Sequence, residues 1–208
     1  MIRLALPKGR IREAALTAFG AAGVEVERLD PETRALSTRL PGGEVEVLFL
    51  KDWDLPLYVE RGVADCGVVG SDVLGEVDGD LLVPARLREG ACRFSLIGKR
   101  RELPRAGEQV TLATKYPRTA RRLLAGRAWG AEILELSGSV ELAPMLDLAD
   151  LALDIVQTGR TLAENGLVEV EVLDVIHPCL VVHRAAYQRH RAILSDWVSR
   201  LEAAELVL

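Results

Sequence analysis

Asp150-Leu151-Ala152-Leu153-Asp154-Ile155-Val156-Gln157-Thr158-Gly159-Arg160-Thr161-Leu162 is the stretch on which the reading of this chain turns. Leu151 to Val156 is apolar except for Asp154, as in a strand covered on both faces. Gly159 can adopt a left-handed conformation, so the chain can turn sharply after the strand. The amides that follow begin a helix and have no acceptor within it, and such groups bind anions, phosphate above all. The hydroxyls of Thr158 and Thr161 and the guanidinium of Arg160 add donors. Asp154 cannot serve the same phosphate, but it can accept hydrogen bonds from sugar hydroxyls. The pattern suits a ribose phosphate, with its 5′-phosphate in the turn and its diol on Asp154. The alternative is an ordinary strand, turn and helix with Thr158 as the helix cap.

The remaining sequence limits the class. The chain has 208 residues, 49% hydrophobic and 27% charged, enough for one large or two small packed domains. A net charge of −5 and only 4% aromatic residues argue against a nucleic-acid binder. Cys66, Cys92 and Cys179 are odd in number and far apart, as expected of reduced thiols in a cytoplasmic protein. Met1 leads directly into a strand with no signal peptide, and no apolar run nears the roughly 20 residues of a membrane span. His177, His183 and His190 lack metal-ligand spacing, no Ser-His-Asp or Cys-His set can be read, and there is no GxxxxGK[ST] loop.

Strand and helix signals alternate along the chain, which predicts α/β architecture with mostly parallel sheets. Ile2–Leu6 reads as a strand, Lys8-Gly9-Arg10 as a turn, and residues 11–22 as a helix closed by Gly23. That turn lies at a strand's carboxyl end, where open α/β sheets bind ligands. Residues 35–39 and 44–50 form a hairpin around Pro41-Gly42-Gly43, and Pro56 sits in the first turn of a helix running to Arg61. Asp65–Val69 is a strand followed by Ser71 and Asp72, either of which can cap the next helix. Residues 186–206 read as one final amphipathic helix. The chain enters a second lobe near residue 90 and leaves it near 175. The predicted lobes are 1–90 with 176–208, and 91–175. Two crossings imply a hinged clamshell of the type II periplasmic-binding-protein kind.

With these pieces in place, the sequence resembles the short-form catalytic subunit of the ATP phosphoribosyltransferase family, over essentially its whole length. The carriers are Leu6 to Arg10, Asp30-Pro31 with Arg34, Asp52 to Pro56, Gly70 to Leu74, Thr114 to Pro117, Gly138 to Pro144, and Asp154 to Leu162. There are departures. Asp147 stands where the family usually has glycine, Ala152 where a branched residue is usual, and Lys51 where arginine is common.

The resemblance implies transfer of phosphoribosyl from phosphoribosyl pyrophosphate (PRPP) to N1 of ATP, releasing pyrophosphate, the first step of histidine biosynthesis. It places Asp154 on the ribose hydroxyls and Thr158, Gly159, Arg160, Thr161 and Leu162 on the 5′-phosphate. Lys8, Arg10 and Arg34 would face polyphosphate, Gly9, Lys51 and Asp72 the nucleotide, and Glu141 the reacting centre. It further implies Mg²⁺ held mainly through substrate phosphates, self-association, and a regulatory partner resembling a histidyl-tRNA synthetase. The resemblance to the short form implies a chain without the C-terminal histidine-sensing domain of longer family members. The alternatives are a cytoplasmic ligand-binding clamshell and a salvage-type phosphoribosyltransferase, which usually carries two adjacent acids where Asp154 stands alone.

Overall fold

The computed structural model describes residues 1–24, 26 and 35–208, with Arg10 by its backbone alone. The element order is β1 Ile2–Pro7, α1 Arg10–Ala21, β2 Ser37–Arg39, β3 Val45–Leu50, α2 Leu55–Glu60, β4 Cys66–Gly70, α3 Ser71–Glu76 and β5 Leu82–Arg86. Then come β6 Cys92–Gly98, β7 Gln109–Thr114, α4 Pro117–Leu124, β8 Gly130–Glu135, α5 Leu142–Met145, β9 Leu151–Val156, α6 Arg160–Glu164 and β10 Val168–Ile176. The chain closes with β11 Pro178–Val182, α7 Arg184–Arg189 and α8 Arg191–Ala203. It divides into two compact units, Met1–Ala91 with His177–Leu208, and Cys92–Ile176.

The first unit is built on a six-stranded sheet in the order β2-β3-β1-β4-β11-β5. β1 lies parallel between β3 and β4. Its alternation explains why: Ile2, Leu4 and Leu6 enter one core, while Ala5 enters another on the opposite face. α1 lays Ile11, Ala15, Ala18 and Phe19 against the first core. There Phe19 meets Trp197 of α8 edge to face, with ring centroids 5.4 Å apart.

The second unit has the sheet order β10-β6-β9-β7-β8. β9 is interior, antiparallel to β6 and parallel to β7. Its Leu151, Leu153 and Ile155 pack with Phe94, Leu96 and Tyr116, and its Ala152 and Val156 pack with Ile97, Val140 and Leu162. Asp154 therefore lies on the Ala152–Val156 face.

Three expectations are corrected. The sheets are mixed, not mostly parallel. The Pro41–Gly43 hairpin makes β2–β3 antiparallel. The strands that carry the chain into and out of the second unit, β6 and β10, also pair antiparallel, with Cys92 opposite Ile176. Only strands joined through a crossover run parallel. The final helix is two helices that break at His190, and both Arg189 and His190 reach Asp65 there, at 3.0 and 3.8 Å. The caps differ as well. Gly70 and Gly159, which have no side chain to cap with, occupy the cap positions of α3 and α6 in place of Ser71, Asp72 or Thr158.

Among the departures noted above, Asp147 takes φ 57°, a left-handed conformation that glycine adopts freely and aspartate tolerates, and it pairs with Lys99 at 2.6 Å. Ala152 is fully buried in the core beside Ile97. No helix among the described residues is long and apolar enough to cross a membrane.

All three cysteines are buried thiols outside any disulfide. Burial pushes the Cys66 thiol far up, with Asp65 adding to it, and pushes Cys179 up to about 11. A thiol-specific reagent at pH 8 is expected to react slowly with the native protein and rapidly with all three thiols after denaturation. Fast native reaction of Cys66 or Cys179 would contradict this packing.

Candidate functional site

The site in the second unit lies at the carboxyl edge of its sheet. β7, β8 and β9 run parallel in register, with Thr114 opposite both Glu135 and Leu153. Their following loops therefore emerge side by side: Lys115-Tyr116, Ser137 to Glu141, and Gln157 to Gly159. Thr114 ties two of them, since its buried hydroxyl donates to the Leu153 carbonyl at 2.8 Å and accepts from the Tyr116 amide at 3.0 Å.

Within this edge lies a cavity of about 270 Å³ lined by Glu141, Asp154, Thr158, Gly159, Thr161 and Leu162, with Ile97, Ile155, Val156 and Gln157 completing the wall. That is somewhat below the ~300–1,000 Å³ of sites that enclose a whole drug-sized ligand. It suits a fragment such as a sugar phosphate, with the rest of the ligand outside. Gly159 has φ 76° and ψ 3°, the left-handed turn expected from sequence. A Cβ there would meet only Val156 Cγ1 at 3.9 Å, so the demand for glycine is conformational and not steric. The Thr158 hydroxyl accepts from the Arg160 amide at 3.4 Å, a long bond, and α6 geometry leaves the amides of Thr161 and Leu162 without an acceptor inside the helix. Arg160 is exposed and is not part of the cavity wall.

Asp154 is half-buried, and one of its carboxylate oxygens accepts from the Ile155 amide at 2.8 Å, which fixes the plane of the carboxylate. Glu141 precedes the single-turn α5 and makes no capping bond. A role as a helix-dipole acid has little to act on in a helix so short, and the side chain lines the cavity with Asp154 instead.

Sequence reading missed what lies behind the turn. Arg93 of β6 donates from Nε and Nη2 to the two carboxylate oxygens of Glu169 on β10, at 2.5 and 2.8 Å. Its Nη1 donates to the Gln157 carbonyl at 3.0 Å. Ser95, opposite Asp154 across the β6–β9 ladder, donates to Glu169 at 2.5 Å. The hydrogen bond and charge of Arg93 hold the Glu169 carboxyl below its usual range, and Glu169 raises the arginine further. The only signal in the sequence was alternation, Arg93-Ser95-Ile97 on one strand face, with nothing to indicate a partner 76 residues away.

The first unit offers a second edge of the same kind. β3, β1 and β4 are adjacent and parallel, with Pro7 opposite Leu50. The segments after their carboxyl ends carry Lys8 and Gly9, Lys51, and Ser71 with Asp72. Gly9 has φ 81° and ψ −152°, a region open essentially to glycine alone. Lys8 and Lys51 are exposed, whereas Asp72 is only 5% exposed. A Cβ on Gly70 would collide with the Asp72 carboxylate, so that glycine makes room for the acid. The Arg10 side chain, and Asp30, Pro31 and Arg34 entirely, lie outside the described residues.

A larger hollow of about 920 Å³ opens at the opposite edge of the second sheet, lined by Lys99, Arg100, Glu102, Arg105, Asp147 and Asp150 among others. Its charges are mixed and partly paired, as in Lys99–Asp147, and it lies at the amino ends of β7 and β9, away from the turn. No group of three potential metal-binding side chains is gathered among the described residues.

Comparison with known proteins identifies the relatives of this chain. The profile of the ATP phosphoribosyltransferase family (HisG) matches residues 51–203. The ATP phosphoribosyltransferase of Thermus thermophilus is 44% identical over 96% of this chain and 95% of its own length. That of Deinococcus deserti is 45% identical over 96% of this chain and 91% of its own. Among solved structures, an ATP phosphoribosyl transferase (HisG:HisZ) complex from Thermotoga maritima superposes with a TM-score of 0.76 at 34% identity, covering 98% of both chains. The periplasmic aliphatic sulphonate binding protein SsuA of Escherichia coli, 12% identical, covers 98% of this chain and 72% of its own with a TM-score of 0.67, a likeness of fold alone. On the match of profile, relatives and fold, the chain belongs to the ATP phosphoribosyltransferase family.

Proposed function

We propose that this chain transfers the phosphoribosyl group of PRPP to N1 of ATP and releases pyrophosphate, the first step of histidine biosynthesis. The observation that carries the reading is the cavity in which Glu141, Asp154 and the Thr158–Leu162 turn meet, in a chain of this family. The turn takes the 5′-phosphate, with Thr158, Gly159, Thr161 and Leu162 at the wall and Arg160 contributing charge from the rim. Asp154 holds the ribose hydroxyls, its plane set by the Ile155 amide.

No nucleophilic side chain is required. The sugar carbon passes through an oxocarbenium-like state as an anionic pyrophosphate leaves. Adenine N1 is unprotonated near neutral pH and attacks directly. The protein's task is alignment and charge neutralisation. Lys8, Arg10 and Arg34 supply positive charge toward polyphosphate, Gly9, Lys51 and Asp72 serve the nucleotide, and Glu141 faces the reacting centre. Glu141 and Asp154 present the oxygen donors that Mg²⁺ accepts, so they fit a cation carried mainly on substrate phosphates. Bound there, Mg²⁺ would neutralise charge on the departing pyrophosphate.

The Thermotoga neighbour is a HisG:HisZ complex, which supports a second subunit for this chain. That this subunit is regulatory and of the histidyl-tRNA-synthetase-like kind, and that the chain self-associates, rests on the family resemblance alone. The three buried thiols, outside any disulfide, support a cytoplasmic setting. A passive ligand-binding role has the support of fold alone, shared with binding proteins such as SsuA.

Pyrophosphate release from PRPP is expected with ATP and not with free bases, and to rise when the partner chain is added. Release with a free base but not with ATP would overturn the assignment. Arg10→Ala and Arg34→Ala are expected to lower turnover more than they weaken ATP binding, and unchanged turnover in both would remove the polyphosphate role. Gly159→Ala should cost about 1–2 kcal/mol of stability through its left-handed backbone and raise the KM for PRPP roughly tenfold. An unchanged KM for PRPP would show that the turn is not the phosphate site.

A further inference from the structure

We infer that Arg93, held by Glu169 and Ser95, is a positioning residue that sets the orientation of the Gln157–Thr158 peptide and so aims the first amide of the turn at the anion. The inference deepens the reading above and rests on it.

The argument starts from the peptide plane. The Gln157–Thr158 bond is trans, as are all peptide bonds among the described residues. In a trans peptide the carbonyl and the following N–H point in opposite directions. Arg93 Nη1 holds the Gln157 carbonyl at 3.0 Å, so the Thr158 amide is directed away from Arg93. If the plane flipped, the carbonyl would take the place of the amide and present a partial negative charge to a phosphate. The residues around it do little to prevent a flip. Gln157 and Thr158 are exposed, and Gly159 tolerates most backbone conformations. Arg93 supplies the restraint.

Arg93 is itself fixed. Two of its nitrogens form a fork on Glu169, leaving Nη1 for the carbonyl. Ser95 adds a third donor to Glu169 from a fully buried position. Arg93 stands opposite Val156, and Ser95 opposite Asp154, so the network runs along the same sheet face as the sugar-binding acid. Glu169 balances the arginine charge, leaving backbone dipoles to receive the phosphate. A lysine at position 93 can reach Glu169 or the carbonyl, but its point-like ammonium cannot reproduce the fork and the third bond together.

The test uses the full chain with its partner subunit, reading KM for PRPP and for ATP separately. Binding of ribose 5-phosphate is followed through the amide resonances of Thr158, Gly159 and Thr161. Arg93→Ala is expected to raise the KM for PRPP roughly tenfold or more, as for loss of a charged hydrogen bond, with the KM for ATP within about twofold. Arg93→Lys should recover only part of the loss, and Glu169→Gln should fall between. Arg122→Ala, which removes an exposed pair with Asp174 on β10, controls for loosening that strand and should leave both KM values unchanged.

If ribose 5-phosphate leaves the turn amides of the wild type unmoved, the site reading fails and this inference with it. If the wild type binds there and Thr158→Ala weakens it while Arg93→Ala does not, the inference alone fails. Equal losses toward ATP and PRPP in Arg93→Ala would reduce Arg93 to a structural clasp. Should Arg93→Ala not fold, Glu169→Gln decides by the same criteria.

Discussion

Asp154 is the one charged residue on β9, a strand hydrogen-bonded to β6 on one edge and β7 on the other. Much of the second unit follows from that placement. An interior strand cannot shift register by one residue without exchanging its two apolar faces. Leu153 is therefore committed to one core, Val156 to the other, and Asp154 to the face that opens at the strand's end. The carboxylate reaches the cavity because the apolar residues around it cannot move.

The two units solve the same problem with the same device. Each gathers loops at the carboxyl edge of adjacent parallel strands, and each places a glycine with positive φ directly before a helix, Gly9 and Gly159. The supporting structure differs. Behind Gly159 stands a charged network spanning β6 and β10, whereas on the helix after Gly9 the guanidinium of Arg12 lies over the Phe49 ring, 4.7 Å from its centroid. The antiparallel strands that depart from the expected pattern are what bring Arg93 and Glu169 together. β10 returns alongside β6 only because the chain leaves the unit beside the point where it entered.

What sequence could disclose was local. Gly159 after an apolar run, Asp154 within it and Gly9 after β1 were legible because each acts through its own backbone geometry or its strand's alternation. The break at His190 was not, because it answers to Asp65, more than a hundred residues away. The Arg93–Glu169 fork was invisible for the same reason, since its meaning depends on a pairing between β6 and β10 that no local pattern encodes. Strand direction was misjudged where alternation of helices and strands was taken to imply crossovers throughout. Hairpins and boundary strands obey different connectivity. Glu141 fell between these cases, since a helix start beside it was readable but the brevity of α5, which leaves a helix-dipole role little to act on, was not.

Asp147 takes a backbone curl that glycine would adopt without strain. The chain curls there at φ 57° with a carboxylate in place of hydrogen, tethered to Lys99. A fingerprint that demanded glycine there would reject this protein, although its aspartate holds a backbone conformation that glycine adopts freely. Recognition of distant kin therefore depends on allowing aspartate wherever the curl, and not the missing side chain, is what the loop requires.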